Sequence, residues 1–321
     1  MKTYKLAMAL AALCTSIMAQ ASTYPSRPID IVVPFTPGGV TDVMSRGLAD
    51  KLQAKLGQPV VVVNKPGAGT VIASNYVARA KPDGYTVLMA ASALGIAPHL
   101  YKSTVTYDPE KDFAPITLVA AVPHLLVIDS RIPAKTVGEL IDYFKKNHGK
   151  ATFASSGNGT SNHLEGELFA SLAGIPMTHI PYKGSAPGLT SLASGDVSMM
   201  FVDVAAAKPF LDSGKVRALA VTTPERSKQM PNLPTVSESG LPKFDAMPWL
   251  GIVAPAGTPR AVVDKLYGAL KEIGADPAIA AQFSKMGLDP VFDTPDEFAS
   301  FIRQESTKWA GVIQRAKISV K

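Results

Sequence analysis

Residues 29–34 (IDIVVP) make a short apolar run that ends in Pro-Phe-Thr-Pro-Gly-Gly, after which Met44, Leu48, Leu52 and Leu56 recur four apart until Gly57. That order spells a strand, a tight turn and an amphipathic helix stopped by glycine. Val60, Val61, Val62 and Val63 follow without interruption, the pattern of a strand covered on both faces. A loop at 64–69 (NKPGAG), a second helix over 71–80, a turn at Pro82-Asp83-Gly84 and a strand over 85–90 complete a β-α-β-α-β unit. The same succession begins again after Pro133, with a helix over 137–147, a strand over 151–154, a polar turn at 155–160 (SSGNGT) and a helix carrying Leu164, Leu168 and Leu172 up to Gly174. Strands over 179–182, 197–202 and 216–221 come next. A further strand around 249–254 (WLGIVA) leads to helices over 261–273, 277–286 and 295–316. Strands separated by helices run parallel and are covered by them, so the expectation is an α/β protein of two parallel-sheet lobes.

A helical tail without a long sheet of its own docks most simply on the first lobe. That places 22–121 and 251–321 in lobe 1 and 122–250 in lobe 2, with crossings near 118–122 and 249–252. The length of 321 residues is ample for two such cores.

The start of the chain reads differently. Lys2 and Lys5 precede an uncharged run of thirteen residues, 6–18, and Ala19-Gln20-Ala21 has the small-x-small form of a cleavage site. This is the pattern of a secretory signal peptide over 1–21, cleaved after Ala21, and the run is too short to span a bilayer comfortably. Leu13 before Cys14 lacks the small residue that lipoprotein processing needs. Removal of the peptide takes away Lys2, Lys5 and the only cysteine, leaving 30 basic against 26 acidic residues. Thiol chemistry and cysteine-based metal sites are thereby excluded from the mature chain. The basic residues are scattered among acids with no dense run, so nucleic acid is not the expected partner.

The two turns carry the chemistry. Gly38, Gly39, Gly157 and Gly159 allow tight turning and expose N–H groups at helix N-termini, where a carboxylate is stabilised without Lys or Arg. Neither turn contains a cation. Each alone is equally an ordinary loop capped by Thr41 or Thr160; their occurrence at corresponding places in two lobes favours ligand capture, since ligands of open α/β sheets sit beyond the strand ends. Asp42 either caps its helix or accepts from a ligand donor, with capping preferred. Phe35 either stacks on a ligand or belongs to the core. Ser92, Lys183 and Asp203 each follow a strand end, Ser92 as a hydroxyl donor, Lys183 as a neutraliser of a distal acid or a solvated lysine, Asp203 as an acceptor or a cap. The five histidines (99, 124, 148, 163, 179) show no paired metal spacing, and no metal or other cofactor is expected. No G-x-S-x-G nucleophile motif and no nucleotide-binding glycine motif occurs.

Tyr24-Pro25-Ser26-Arg27-Pro28-Ile29, Pro34-Phe35-Thr36-Pro37-Gly38-Gly39 with Asp42, and Asn64-Lys65-Pro66-Gly67-Ala68-Gly69 resemble the Bug (TctC-like) family. So do Lys81-Pro82-Asp83-Gly84-Tyr85-Thr86, Ser156-Gly157-Asn158-Gly159-Thr160 with His163-Leu164, Tyr182-Lys183-Gly184, and Ala254-Pro255-Ala256-Gly257-Thr258-Pro259. These motifs run in order over the mature chain. The family comprises the extracytoplasmic solute receptors of tripartite tricarboxylate transporters. The resemblance implies a type II periplasmic-binding-protein fold, a Venus flytrap with a cleft between two α/β lobes. It implies a ligand carboxylate held by main-chain groups and ordered water at the two turns. By position, the contacts would be Phe35, Thr36, Gly38, Gly39, Val40, Thr41, Asp42, Ser92 and Ala93 in the first lobe. In the second they would be Ser155, Ser156, Gly157, Asn158, Gly159, Thr160, His163, Tyr182, Lys183 and Asp203. The stretch Ala90-Ala91-Ser92-Ala93-Leu94-Gly95 departs from the Asn, Thr or His side chains that family members often carry there, and Val40 replaces a commonly small or Pro residue; both argue against a strongly polar distal ligand group.

The expectation is therefore a periplasmic, monomeric receptor that is not an enzyme, with a small organic carboxylate as ligand and integral-membrane permease subunits as partners. Two other readings stand beside it: an exported hydrolase using Ser155 or Ser156, and a sensory receptor feeding a signalling partner.

Overall fold

The computed structural model describes residues 24–318 apart from 148, 150 and 229. The signal peptide expected at 1–21 lies outside the described residues. The first lobe begins β1 (Ile29–Val33), α1 (Val40–Leu56), β2 (Val60–Asn64), α2 (Val71–Ala78), β3 (Thr86–Ala91), α3 (Ala93–Leu100), β4 (Phe113–Ala121). Helix α1 buries Met44, Leu48 and Leu52 along one stripe and stops at Gly57, whose left-handed conformation lets its N–H reach the Gln53 carbonyl. The second lobe runs β5 (His124–Asp129), α4 (Val137–Lys146), β6 (Thr152–Ser155), α5 (Ser161–Ala173), β7 (Thr178–Pro181), α6 (Ser185–Ser194), β8 (Met199–Asp203), α7 (Val204–Asp212), β9 (Val216–Val221). The chain ends β10 (Trp249–Pro255), α8 (Arg260–Gly274), α9 (Pro277–Lys285), β11 (Asp289–Pro290), α10 (Pro295–Ala316).

Two sheets result, one ordered β11-β4-β10-β3-β1-β2 and the other β7-β6-β8-β5-β9. Alternate residues of each strand feed opposite faces. Ile31 and Val33 pack with Leu48 and Leu266 on one side of the first sheet, while Val32 and Leu88 pack with Val77 and Ile302 on the other. Phe153 and Phe201 meet Leu164 and Phe169 on one side of the second sheet, and Val127 and Met200 meet Leu189 on the other.

Two departures from the sequence reading bear on function. The sheets are mixed rather than parallel: β10 runs antiparallel to β3 and β4, and β5 antiparallel to β8 and β9. The reason is connectivity. β5 and β10 are the strands by which the chain enters each sheet from a crossing, so they run against the helix-covered strands and present their first residues, His124 and Trp249, where the others present their last. The tail is also shared between lobes. Phe298 and Ile302 of α10 pack with β3 and β10, but Trp309, Val312 and Ile313 enter the core of the second lobe beside Ile96 and Leu100 of α3. The 22-residue α10 therefore packs along lobe 1 and extends its last turns onto the core of the second lobe.

At the β10 crossing, Gly251 lies where a Cβ would fall against the Phe298 ring and within 3.0 Å of the Thr117 carbonyl oxygen. Gly251→Val should destabilise the protein by about 1–3 kcal/mol through overpacking, read as a lower urea midpoint; an unchanged midpoint would mean that α10 is not held against the sheet there.

Candidate functional site

A cavity of about 410 Å³ lies where the strand ends of both sheets meet, within the usual range for small-molecule sites. The first lobe contributes Phe35, Val40 and Thr41 from the β1–α1 turn, and Ser92 and Ala93 after β3. The second contributes Ser156, Asn158, Gly159, Thr160 and Ser161 from the β6–α5 turn, and Asp203 at the end of β8. The crossings supply Val122, His124, Pro248, Trp249 and Leu250, and Met286, Gly287 and Leu288 close one side.

The first turn is held from behind. Asp42 is buried and accepts hydrogen bonds from Gly38 N–H (3.0 Å), Arg46 Nε (3.0 Å) and Nη2 (2.9 Å), and Asn64 Nδ2 (2.8 Å). Asn64 Nδ2 also donates to the Phe35 carbonyl at 3.0 Å. Asp42 therefore neither contacts the cavity nor serves as the N-cap, a position held by Gly39; it locks the turn. Gly38, at φ 87°, supplies the left-handed residue that brings its N–H back to Asp42. Phe35 is in none of the core clusters and lines the cavity, while Thr36 is exposed outside it.

The Arg46 hydrogen bond, joined by that of Gly38, holds the Asp42 carboxyl down to about 2 despite its burial. Its contribution to stability is thus present above the ordinary value near 3.8 and disappears as pH falls through about 2. The stability gap between wild type and Asp42→Asn should be full at neutral pH and close across that acid window; urea midpoints that differ equally at both ends would contradict it.

The second turn is held in the same manner. Ser155 is fully buried, and its Oγ lies 2.6 Å from His179 Nε2 and accepts from Gly157 N–H at 3.1 Å. Ser156 Oγ exchanges hydrogen bonds with Asn162 at 3.0 and 2.8 Å. Gly159 N–H donates to His163 Nδ1 at 3.0 Å, and the His163 ring stacks on His179 at 3.8 Å. Burial, with His163 adding to it, pushes the His179 pKa down to about 4. Tyr182 is anchored to Ser191 Oγ at 2.6 Å. Lys183 is exposed and stands away from the cavity. Thus Ser155, Gly157, His163, Tyr182 and Lys183, like Thr36, Gly38, Gly39 and Asp42, shape or flank the turns without lining the cavity.

This changes which donors are free. Gly38, Gly157 and Gly159 were expected to offer N–H groups, but these are spent on Asp42, Ser155 and His163. Among the described residues the N–H groups of Val40, Thr41, Asn158 and Ser161 have no partner, and all four residues line the cavity. Val40 and Ser161 are the first residues of α1 and α5, so two helix N-termini open on one space. Ser92 Oγ accepts from Trp249 N–H at 2.9 Å, tying β3 to the crossing and leaving its own proton free to turn. Asp203 Oδ1 accepts from Ala206 N–H at 2.8 Å, capping α7 while lining the cavity.

His124 was missed by the sequence reading. Its Nδ1 lies 2.8 Å from Oε2 of Glu165, a carboxyl with no exposure whose Oε1 has no hydrogen-bond partner. Burial works against a charge on the ring, but Glu165, by its charge and its hydrogen bond, and Asp203 outweigh it and raise the imidazole pKa. The only available signal was position: His124 and Trp249 each follow a proline and open an apolar run.

Two α/β sheets facing one cavity, with helix N-termini aimed into it and two crossings behind, define a periplasmic-binding-protein fold. The profile described as the tripartite tricarboxylate transporter family receptor (TctC) matches residues 44–318. BugT of Bordetella pertussis is 38% identical over 302 residues, covering 94% of this chain and 93% of BugT. Among solved structures, the periplasmic binding protein BugD is 38% identical with a TM-score of 0.74, covering 92% of this chain and all of that one. An R. palustris protein solved with adipate is 34% identical with a TM-score of 0.78, covering 92% of this chain and all of that one. MatC from Rhodopseudomonas palustris, solved with malate, is 32% identical with a TM-score of 0.74, covering 90% of this chain and all of that one. The chain belongs to the TctC family of solute-binding receptors, the Bug proteins among them.

Proposed function

We propose that this protein captures a small organic carboxylate in the periplasm and delivers it to the permease of a tripartite tricarboxylate transporter. The observation that carries the reading is the pair of helix N-termini, each with free N–H groups, opening on one cavity whose lining contains no Lys or Arg. Such an array stabilises a carboxylate by oriented donors. The apolar walls around it, Phe35, Val40, Ile96, Leu250 and Leu288 among them, suit an aliphatic or aromatic ligand body. A tricarboxylate fits poorly, since each further charge against such walls needs a partner. Adipate and malate in the related proteins fit the same class. Closure of the lobes on the ligand would present the surface that the permease, or a sensory partner, reads.

The hydrolase reading has one observation in its favour, the 2.6 Å contact of Ser155 Oγ with His179 Nε2. That hydroxyl is fully buried and outside the cavity lining, and Ser156 Oγ is paired with Asn162 rather than with a base. A nucleophile needs access to the bound substrate.

The test is a thermal-shift and calorimetric panel of mono-, di- and tricarboxylates and aromatic acids on the exported protein, with the ligand recovered and weighed afterwards. A saturable carboxylate returned unchanged is the expected result. Turnover of the ligand, or binding of no carboxylate, would overturn the proposal. N-terminal sequencing of the same preparation should begin at Ser22.

A further inference from the structure

We propose that His124 is the cation of the cleft and receives the second carboxylate of the ligand, so that this receptor prefers α,ω-dicarboxylates to monocarboxylates of equal chain length. The inference rests on the carboxylate-receptor reading above. Among the described residues that line the cavity, His124 is the only side chain able to carry a positive charge. Its Nδ1 is tied at 2.8 Å to Glu165, so Nε2 is the nitrogen turned away from that carboxyl, and it has no partner among the described residues. Glu165 has no exposure and is drawn into the core by α5, where it fixes the ring from behind as a carboxylate fixes a ligating histidine. The free N–H groups belong to the turns and His124 to the crossing, so the ligand's two ends meet different walls of one cavity, with Ile96 and Leu250 also lining it. A second charge left against those apolar groups would be strongly disfavoured, and an imidazolium Nε2–H removes that penalty.

The groups around the ring fix its behaviour with pH. Glu165 faces it from α5 and Asp203 sits opposite it in the β5–β8 ladder. From the β9 side Thr222 Oγ1 accepts the His124 main-chain N–H at 3.2 Å, and Pro248, Trp249 and Leu250 at the crossing bring no charge. Asp203 is turned partly to the α7 N-terminus, which accepts its negative charge. The two carboxylates keep the ring protonated above its ordinary range. Dicarboxylate affinity therefore declines as pH rises through that raised value, and monocarboxylate affinity does not.

Calorimetric titration with succinate, glutarate, adipate and suberate, each beside the monocarboxylate of the same length, tests this across about pH 5–9. Wild type should favour one dicarboxylate over its match, and that preference should weaken, never strengthen, towards the alkaline end. The double variant His124→Gln with Glu165→Gln removes both charges and keeps a hydrogen-bonding pair. It should lower the dicarboxylate-to-monocarboxylate affinity ratio by about tenfold or more, the loss of one charge-assisted hydrogen bond. The wild-type pH profile decides the matter even if the double variant fails to fold. Equal affinity for both series, or a ratio untouched by the double variant, overturns the assignment to His124 and leaves the receptor reading standing. Absence of binding to either series overturns both.

Discussion

His124→Leu should cost the protein about 3–5 kcal/mol of folding stability, the range for a buried ion pair that loses one partner. Glu165 has no exposure, and only one of its oxygens has a partner, which is His124. Removing the ring leaves that carboxyl in the interior with nothing to compensate it. Replacing both residues by glutamine should recover most of the loss, since no group is then left buried and charged. Because the folded imidazole is raised above its ordinary value near 6.5, the pair's contribution is complete below that pH and fades as pH rises through the folded value. Urea denaturation of the single and double variants at two pH values measures both effects. A single variant within about 1 kcal/mol of wild type would mean that the carboxyl finds solvent or another partner.

Ligand affinity should fall by about tenfold to a hundredfold in Val40→Pro and in Ser161→Pro, each of which deletes one N–H donor. Both positions open a helix, where proline is accommodated without breaking a helical hydrogen bond. The preceding residues, Gly39 at φ −76°, ψ 167° and Thr160 at φ −75°, ψ 161°, already have the extended backbone that a following proline requires. The substitution therefore separates donor loss from fold loss, which a glycine replacement does not. Melting temperatures near wild type with weakened binding are expected from both variants. Wild-type affinity in both would show that the carboxylate does not sit on these helix ends.

Much of this molecule is legible in its sequence. The period of Met44, Leu48 and Leu52 and the unbroken apolar run at Val60 announced their helix and strand because burial repeats with the geometry of each element. The two turns were legible from glycine spacing. What they do was only half legible, since a main-chain donor's availability depends on whether a neighbour such as Asp42, Ser155 or His163 has already taken it. The strands β4 and β5 were obscured by Pro115 and Pro123, and α3 by a small-residue run, Ala90 to Ala93, that resembles a loop. The direction of β5 and β10 could not be read from local pattern at all, because it is set by how the chain crosses between sheets. The sequence pattern therefore points to the ends of parallel strands and to Lys183, whereas the cleft's cation stands at the beginning of an antiparallel one. Glu165, 41 positions further along, is a charged residue beside the apolar Leu164 and Leu168, and its burial against His124 is set by tertiary packing that no local pattern announces.

Crystallography of the carboxylate complex tests the central claim most directly. Both oxygens of one carboxylate should lie within about 3.2 Å of the main-chain nitrogens of Val40, Thr41, Asn158 or Ser161, directly or through one water, with the lobes closed over the rest of the ligand. A carboxylate found instead on Lys183, or on Ser155 beside His179, would contradict the account.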